Sequence, residues 1–369
     1  MKSYTMRDAC FACTTPYQII GAIEITHALQ LDADLYIFGV FPNSQTVADR
    51  LKSYHVFHDV YVVDTKRFGM GSRISLGLHF LFAEKTVSFF LPKDICYKTF
   101  YSSSRALKKV ILMGVLKKRN PEMNRVIYED GMGTYINSSH PLNASPLMKK
   151  LEWFLGWEID DPKRTRMIAH VPRLVEPPAF LHGTEVGQMP GLYSDPGTIE
   201  MLNDVFSVDD EKRIDERYIL FDTLRPNPAV MSDEDFSILD ACYSRIMHCV
   251  GAENIVCKPH PRSRKAQDVG LRLYTSQELP MEVLYAGMTD LEKRVLISYT
   301  SSAMFTPKLL FGKEPCVISL HRMLKEKRGS ILFEEMYEKM KQEYSVPSRI
   351  AAPESLDELE TVLKSIEDI

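Results

Sequence analysis

The chain has 369 residues, 45% of them hydrophobic and 25% charged, with 45 Lys and Arg against 49 Asp and Glu. That length suits two domains of about 150 to 200 residues, and the composition is that of an ordinary soluble globular protein. A formal charge of −4 excludes a global field that would gather nucleic acid, so any anion site must be local.

The N-terminal stretch MKSYTMRDACFACTT holds charges where a signal peptide needs an apolar core. No window approaches about 18 uninterrupted apolar residues. The expectation is a cytoplasmic protein, in which the sequons at Asn137 and Asn143 carry no meaning. Seven scattered cysteines fit reduced, buried thiols. Cys10 and Cys13 have C-x-x-C spacing, but they fall in a predicted strand, where a separation of three puts side chains on opposite faces. No second pair completes a zinc site.

ACFACTT (9–15) reads as a strand leading into a helix over 16–30. Pro16 suits the first turn of that helix, and Ile19, Ile20, Ile23 and Leu29 share a face. Further strands are expected at 34–40, 59–64 and 125–131, with helices near 45–53, 74–84 and 103–118. A helix over 148–160 carries Trp153 and Trp157 near Lys149 and Lys150. It and 107–119 fit either a helix packed on the sheet or one resting on a membrane surface. Prolines and acidic clusters from about Val171 to Arg217 predict a surface excursion that connects two domains.

The alternation restarts at RYILFDT (217–223). A helix near 232–250 follows, then a strand in NIVCK (254–258), a helix after Pro280, a strand at 294–299, a helix from about Ser302 and a strand at 315–320. The terminal ESLDELETVLKSIEDI reads as an amphipathic helix on the core. Strand and helix in turn predict α/β architecture: two Rossmann-like domains, 1–210 and 211–369, facing an interdomain cleft. In such sheets ligands sit beyond the carboxyl ends of strands.

Three strand ends carry chemistry. In VIYEDGMGTY, Glu129 and Asp130 end a strand, and Gly131 permits a sharp turn. Either carboxylate could act as a general base, and the pair also fits an acidic turn. In NIVCKPHPRSR, His260 is held between Pro259 and Pro261 with little conformational freedom, and Lys258, Arg262 and Arg264 suit a phosphate. In ISYTSSAMFTPKLL, Thr300, Ser301 and Ser302 open a predicted helix, which fits an anion site or ordinary capping. Glu282, just inside the helix after Pro280, could accept from both hydroxyls of a ribose, or simply favour a helix start. None of the scattered histidines has convincing metal-ligand spacing.

The order E-D-G, K-P-H-P, P-x-E and S-S resembles the bacterial sialyltransferases, and most nearly glycosyltransferase family 52, with kinship to families 38 and 80. CTTPYQIIGAIEI also resembles their opening strand and helix. The resemblance implies a GT-B fold binding CMP-N-acetylneuraminic acid, with Asp130 or Glu129 as the base and Asp130 favoured. His260 would bond the departing CMP phosphate. Ser301 and Ser302 would hold the same phosphate, Glu282 the ribose, and Thr15 and Gln18 the donor sugar or acceptor; Lys258, Pro261, Thr300 and Gly131 are further expected donor-binding residues. It implies an inverting, metal-independent reaction onto a glycan or glycolipid of lipooligosaccharide or capsule, without nucleic acid. Peripheral membrane contact and a homodimer complete the expected partners. The alternatives are transfer from another nucleotide donor, glucosyl or CDP-polyol, and a non-catalytic nucleotide- or glycan-binding protein.

Overall fold

Strand and helix alternate along both halves of the chain. The computed structural model describes residues 4–39, 41–68, 78–136, 146–191, 196–222, 232–260, 270–324 and 327–367. They fall into two units, Met1–Ser194 and Asp195–Ile369.

The first unit runs β1 (Thr5–Cys13), α1 (Pro16–Leu29), β2 (Ala33–Ile37), α2 (Ser44–Ser53), β3 (Asp59–Val62), α3 (Ala83–Val87), β4 (Ile95–Tyr101), α4 (Leu107–Arg119), β5 (Asn124–Tyr128), α5 (Pro146–Phe154), β6 (Thr165–Ala169) and β7 (Val186–Gln188). Its seven strands are all parallel, in the order β3-β2-β1-β4-β5-β6-β7. β1 is the pivot, pairing with β2 on one side and β4 on the other. Strands buried on both faces read as continuous apolar runs, and Ala9 to Cys13 are all fully buried. One face packs Tyr36, Tyr97 and Phe100 against Val110 to Leu116 of α4 and against Trp157.

The second unit runs α6 (Pro196–Phe206), β8 (Tyr218–Phe221), α7 (Asp233–Val250), β9 (Ile255–Lys258), β10 (Arg272–Leu273), α8 (Met281–Ala286), β11 (Val295–Ser298), α9 (Thr306–Phe311), β12 (Cys316–Ser319), α10 (Lys327–Glu343), β13 (Ile350–Ala351) and α11 (Leu356–Glu367). The sheet order, β10-β9-β8-β11-β12-β13, is again all parallel and again pivots on the first strand. A separate core gathers Leu220, Tyr243, Ile255, Ile297, Ile318 and Leu363. Each unit is therefore a Rossmann-type α/β layer structure, with the order reversing beside β1 in one and β8 in the other.

Several expectations are corrected. The strand expected at 9–15 begins at Thr5 and ends at Cys13. β4, β6, β10, α10 and β13 were not expected. The stretch read as a surface connection contains β7 and α6, and Thr198, Leu202, Val205 and Phe206 bury one stripe of that helix. The first unit ends at Ser194, before this helix. The helix expected over 148–160 stops at Phe154, where Gly156 turns the chain with φ +67°. The helix expected from Ser302 is a single 3-10 turn, Ser302–Met304, before α9. Residues 74–77 of the helix expected at 74–84 lie outside the described residues. All seven cysteines are free. Among the described residues no helix is long and apolar enough to cross a membrane, and no His/Cys/Asp/Glu group is arranged to hold a metal ion.

Candidate functional site

At the carboxyl ends of β1 and β5 the structure separates the two neighbouring acids. Glu129 is buried and saturated. Its Oε1 accepts from the Tyr17 hydroxyl at 2.5 Å. Its Oε2 accepts from the Tyr135 hydroxyl and the His170 backbone amide at 2.8 Å, and lies 3.0 Å from His170 Nδ1. Four donors fill what a carboxylate can accept. The other nitrogen of His170, Nε2, lies 3.1 Å from buried Glu24. Burial works against charge on His170, but Glu129 and Glu24 together outweigh it and push the imidazole up to about 10. Burial likewise opposes charge on Glu129, but His170, Tyr135 and Tyr17 hold it below the usual range. The group is an ion cluster of the interior: Glu24, imidazolium, Glu129.

Asp130 is different. It is half-buried; burial first, and the charge of Glu129 as well, raise its proton affinity, while Gln18 and Lys109 act to lower it. Its Oδ1 accepts from Gln18 Nε2 at 2.8 Å, and its backbone amide donates to Thr134 Oγ1 at 2.8 Å. Gly131, at φ +64°, turns the chain so that this loop folds back, and non-glycine residues pay a steric cost at such an angle.

Gln18 is fixed from behind. Its Oε1 accepts from the Thr14 amide at 2.8 Å, the Thr14 hydroxyl at 3.1 Å and Lys109 Nζ at 2.9 Å. With its oxygen facing three donors, the carboxamide can turn only its NH2 toward Asp130. Lys109 is fully buried in α4, and burial pulls its proton affinity down. Thr15 caps α1, its hydroxyl accepting from the Gln18 amide at 3.3 Å. Thr15 and Gln18 are thus engaged with the protein itself.

In the second unit, the ends of β8, β9 and β11 converge. Ser298 Oγ donates to Phe221 O at 2.9 Å and accepts from the Ser301 amide at 3.1 Å, which binds the loop after β11 to β8. The Asp222 amide donates to Lys258 O at 3.1 Å, and the Tyr243 hydroxyl reaches Asp222 Oδ1 at 3.2 Å. Lys258 is buried, with Nζ 3.2 Å from Gln277 O and 4.8 Å from the Tyr274 ring centre. Burial lowers it to about 8, with Glu282 and Glu278 pulling the other way. Glu282, half-buried in the first turn of α8, is raised by burial. Ser301 caps the following turn, accepting from the Ala303 amide at 3.3 Å. Thr300 is half-buried and Ser302 exposed. His260 is half-buried just beyond β9. Pro261, Arg262 and Arg264 lie outside the described residues.

The comparisons with known proteins bear on the resemblance drawn from the motifs. No family model matches the chain, and no curated protein matches it. Among solved structures, the chain is similar to a UDP-N-acetylglucosamine 2-epimerase from Rickettsia bellii, at 13% identity and a TM-score of 0.41, over 99% of this chain and 95% of the other. The assignment to glycosyltransferase family 52 is therefore corrected: no family model supports it, and a matching solved structure is named for another enzyme. A likeness of that size carries no argument about activity.

The sequence reading missed Lys109, Glu24, His170, Tyr17, Tyr135 and Asp222. A signal was present for two of them. Glu24 sits inside IIGAIEI and Lys109 at the head of KVILMGVL, and an ionisable residue within an apolar helical run calls for a buried partner.

Proposed function

We propose that the chain is a nucleotide-sugar enzyme that transfers a glycosyl group to a hydroxyl, with Asp130 as the base. The observation that carries this reading is the division of labour between two adjacent carboxylates. One is saturated and holds an imidazolium; the other is anchored through a single oxygen by Gln18 and has raised proton affinity. A base whose pKa is lifted toward the working pH takes a proton more effectively in the transition state. Lys109 reaches Asp130 through Gln18, and its charge favours the ionised carboxylate against the burial that raises its proton affinity, while the carboxamide holds one of its oxygens.

The second unit is the proposed holder of the nucleotide. Lys258 offers a cation at the end of β9, Thr300, Ser301 and Ser302 offer hydroxyls beyond β11, and Glu282 offers an acceptor for ribose hydroxyls. Asp222 joins this group as a further acceptor. The donor to try first is CMP-N-acetylneuraminic acid. Its departing nucleoside monophosphate carries less charge than a diphosphate, and one buried cation with hydroxyls can offset it. In the step itself, Asp130 takes the proton of the acceptor hydroxyl and its oxygen bonds to the anomeric carbon. The bond from that carbon to the phosphate oxygen breaks, and CMP leaves with its electron pair. One displacement inverts the anomeric centre.

The test is thermal stabilisation of the purified chain, in EDTA, by CMP, UMP, UDP and GDP, followed by donor turnover. A ligand that binds the native state raises its melting temperature by mass action. CMP is expected to shift it most, and His260→Ala to reduce that shift. Asp130→Asn should keep both the fold and the CMP shift while losing on the order of a hundredfold or more in transfer rate. No shift with any nucleotide would sink the donor assignment; full transfer by Asp130→Asn would sink the base.

A further inference from the structure

Six of the ten large apolar side chains exposed among the described residues stand on two segments of the first unit. Trp153 and Phe154, at the end of α5, are 83% and 70% exposed. Leu78, Leu81 and Phe82 are each at least half exposed, and Phe89 follows on the far side of α3. The Phe80 ring lies 5.3 Å from that of Trp157, so 78–82 runs beside the segment that follows α5. Apolar side chains this large are seldom left together in water without a partner.

The charges on these elements select the partner. Lys149 and Lys150 are exposed on α5 and each precedes an exposed aromatic by four residues, so two cations and two rings share one outward strip. The one carboxylate of α5, Glu152, is buried and accepts from Arg105 at 2.5 and 2.7 Å. Lys85 adds an exposed cation on α3, and Glu84 beside it lies 3.6 Å from Arg119. Glu158, exposed on the loop beyond the helix, and half-buried Asp160 and Asp161 line one cavity with Lys149 and Trp153; Asp160 is paired with Arg105 and Arg125, and Asp161 lies 3.7 Å from Arg164. The strip is therefore cationic and aromatic on a chain whose formal charge is −4.

We propose that this strip docks the first unit on a bilayer that contains anionic lipid. The rings of Trp153 and Phe154 enter the headgroup boundary, and Lys149 and Lys150 meet lipid phosphates. A second copy meeting the same patch across a two-fold axis would bring lysine pair toward lysine pair, whereas an anionic surface offers every cation a partner. The chain lies on the membrane by this strip; no described helix could span it.

The experiment is co-sedimentation of the full chain with vesicles of phosphatidylcholine, alone and mixed with phosphatidylglycerol, while tryptophan fluorescence is followed. Binding is expected on the mixed vesicles, with a blue shift of the emission and weakening in salt. Trp153→Ser/Phe154→Ser should lose about tenfold or more in partition, and Lys149→Glu/Lys150→Glu at least about fivefold per lysine. Because all four side chains are exposed, both variants should melt as the parent does. Failure to bind mixed vesicles, undiminished binding by both variants, or a dimer that Trp153→Ser/Phe154→Ser dissolves would each overturn the proposal. None of these outcomes touches the nucleotide reading, which has its own test.

Discussion

A carboxylate that accepts from two phenols, an amide and an imidazolium, as Glu129 does, has no lone pair left for a substrate proton. Its work is to hold His170, and that work depends on pH in a definite direction. The folded-state pKa of His170, about 10, lies above its unfolded value of about 6.5. The stabilisation is therefore complete below about pH 6.5 and is lost as pH rises toward 10. Glu129 is shifted downward, so its share is present above its unfolded value and is lost in acid. His170→Gln should destabilise the fold by about 3 to 5 kcal/mol, since two buried carboxylates lose their cation. It should also flatten the fall in melting temperature between about pH 7 and 10. An unchanged slope would show that the imidazolium does not govern it.

Lys109 gives the expected reaction rate a pH dependence of its own. Its charge lowers the proton affinity of Asp130 while burial raises it. The acid limb of the rate profile is expected above the usual carboxylate range, and Lys109→Met should move it to still higher pH. Lys109→Arg should restore the limb at least in part. A limb that stays in place in Lys109→Met would remove Lys109 from the positioning chain. None of this was legible from EDG alone, because both acids look alike until their hydrogen-bond partners are known.

Among elements, α4 shows how a helix is tied to what lies over it. A Cβ added at Gly114 would overlap the ring carbons of Trp157, so the indole rests directly on the helix backbone. Gly114→Ala should cost about 1 to 3 kcal/mol by overpacking, read as a lowered melting temperature. Because α5 ends just before this tryptophan, its vesicle binding should weaken as well. The missed strand has an equally physical origin. In ICYKTFY the alternation is broken by Lys98, which reaches Asp8 at 2.8 Å at a level where β5 has not yet begun to pair; the β4–β5 register starts at Thr99. β7 escaped because three residues with a central glycine have no period to read. α6 did have one, with Thr198, Leu202 and Val205 buried at helical spacing, but it was hidden among prolines and acids.

For the whole molecule, alternation of strand and helix was enough to predict two parallel-sheet units, and both sheets obey it. What alternation could not give was a family. Each short motif has an ordinary reason to exist at a strand end: Ser301 caps a turn, Glu282 sits in a first helical turn, Gly131 occupies a left-handed angle. Order alone made them look like one signature. The separate cores carry a further expectation. Calorimetry should resolve two transitions, and CMP should raise only the one belonging to the second unit. His260→Ala should reduce that shift, and Gly114→Ala should lower the other transition. A single transition moved by both changes would show that the units unfold as one.

The pivot strands have a consequence for a chain still being made. β1 is synthesised first, yet it stays unpaired along one edge until residues 95–101 arrive to form β4. Its apolar residues must wait, exposed, on the nascent chain. After Gln188 of β7 every described strand of the first sheet has been made, before any of β8 has been translated. The order of synthesis and the order of assembly then coincide: one unit can close while the other is still being read.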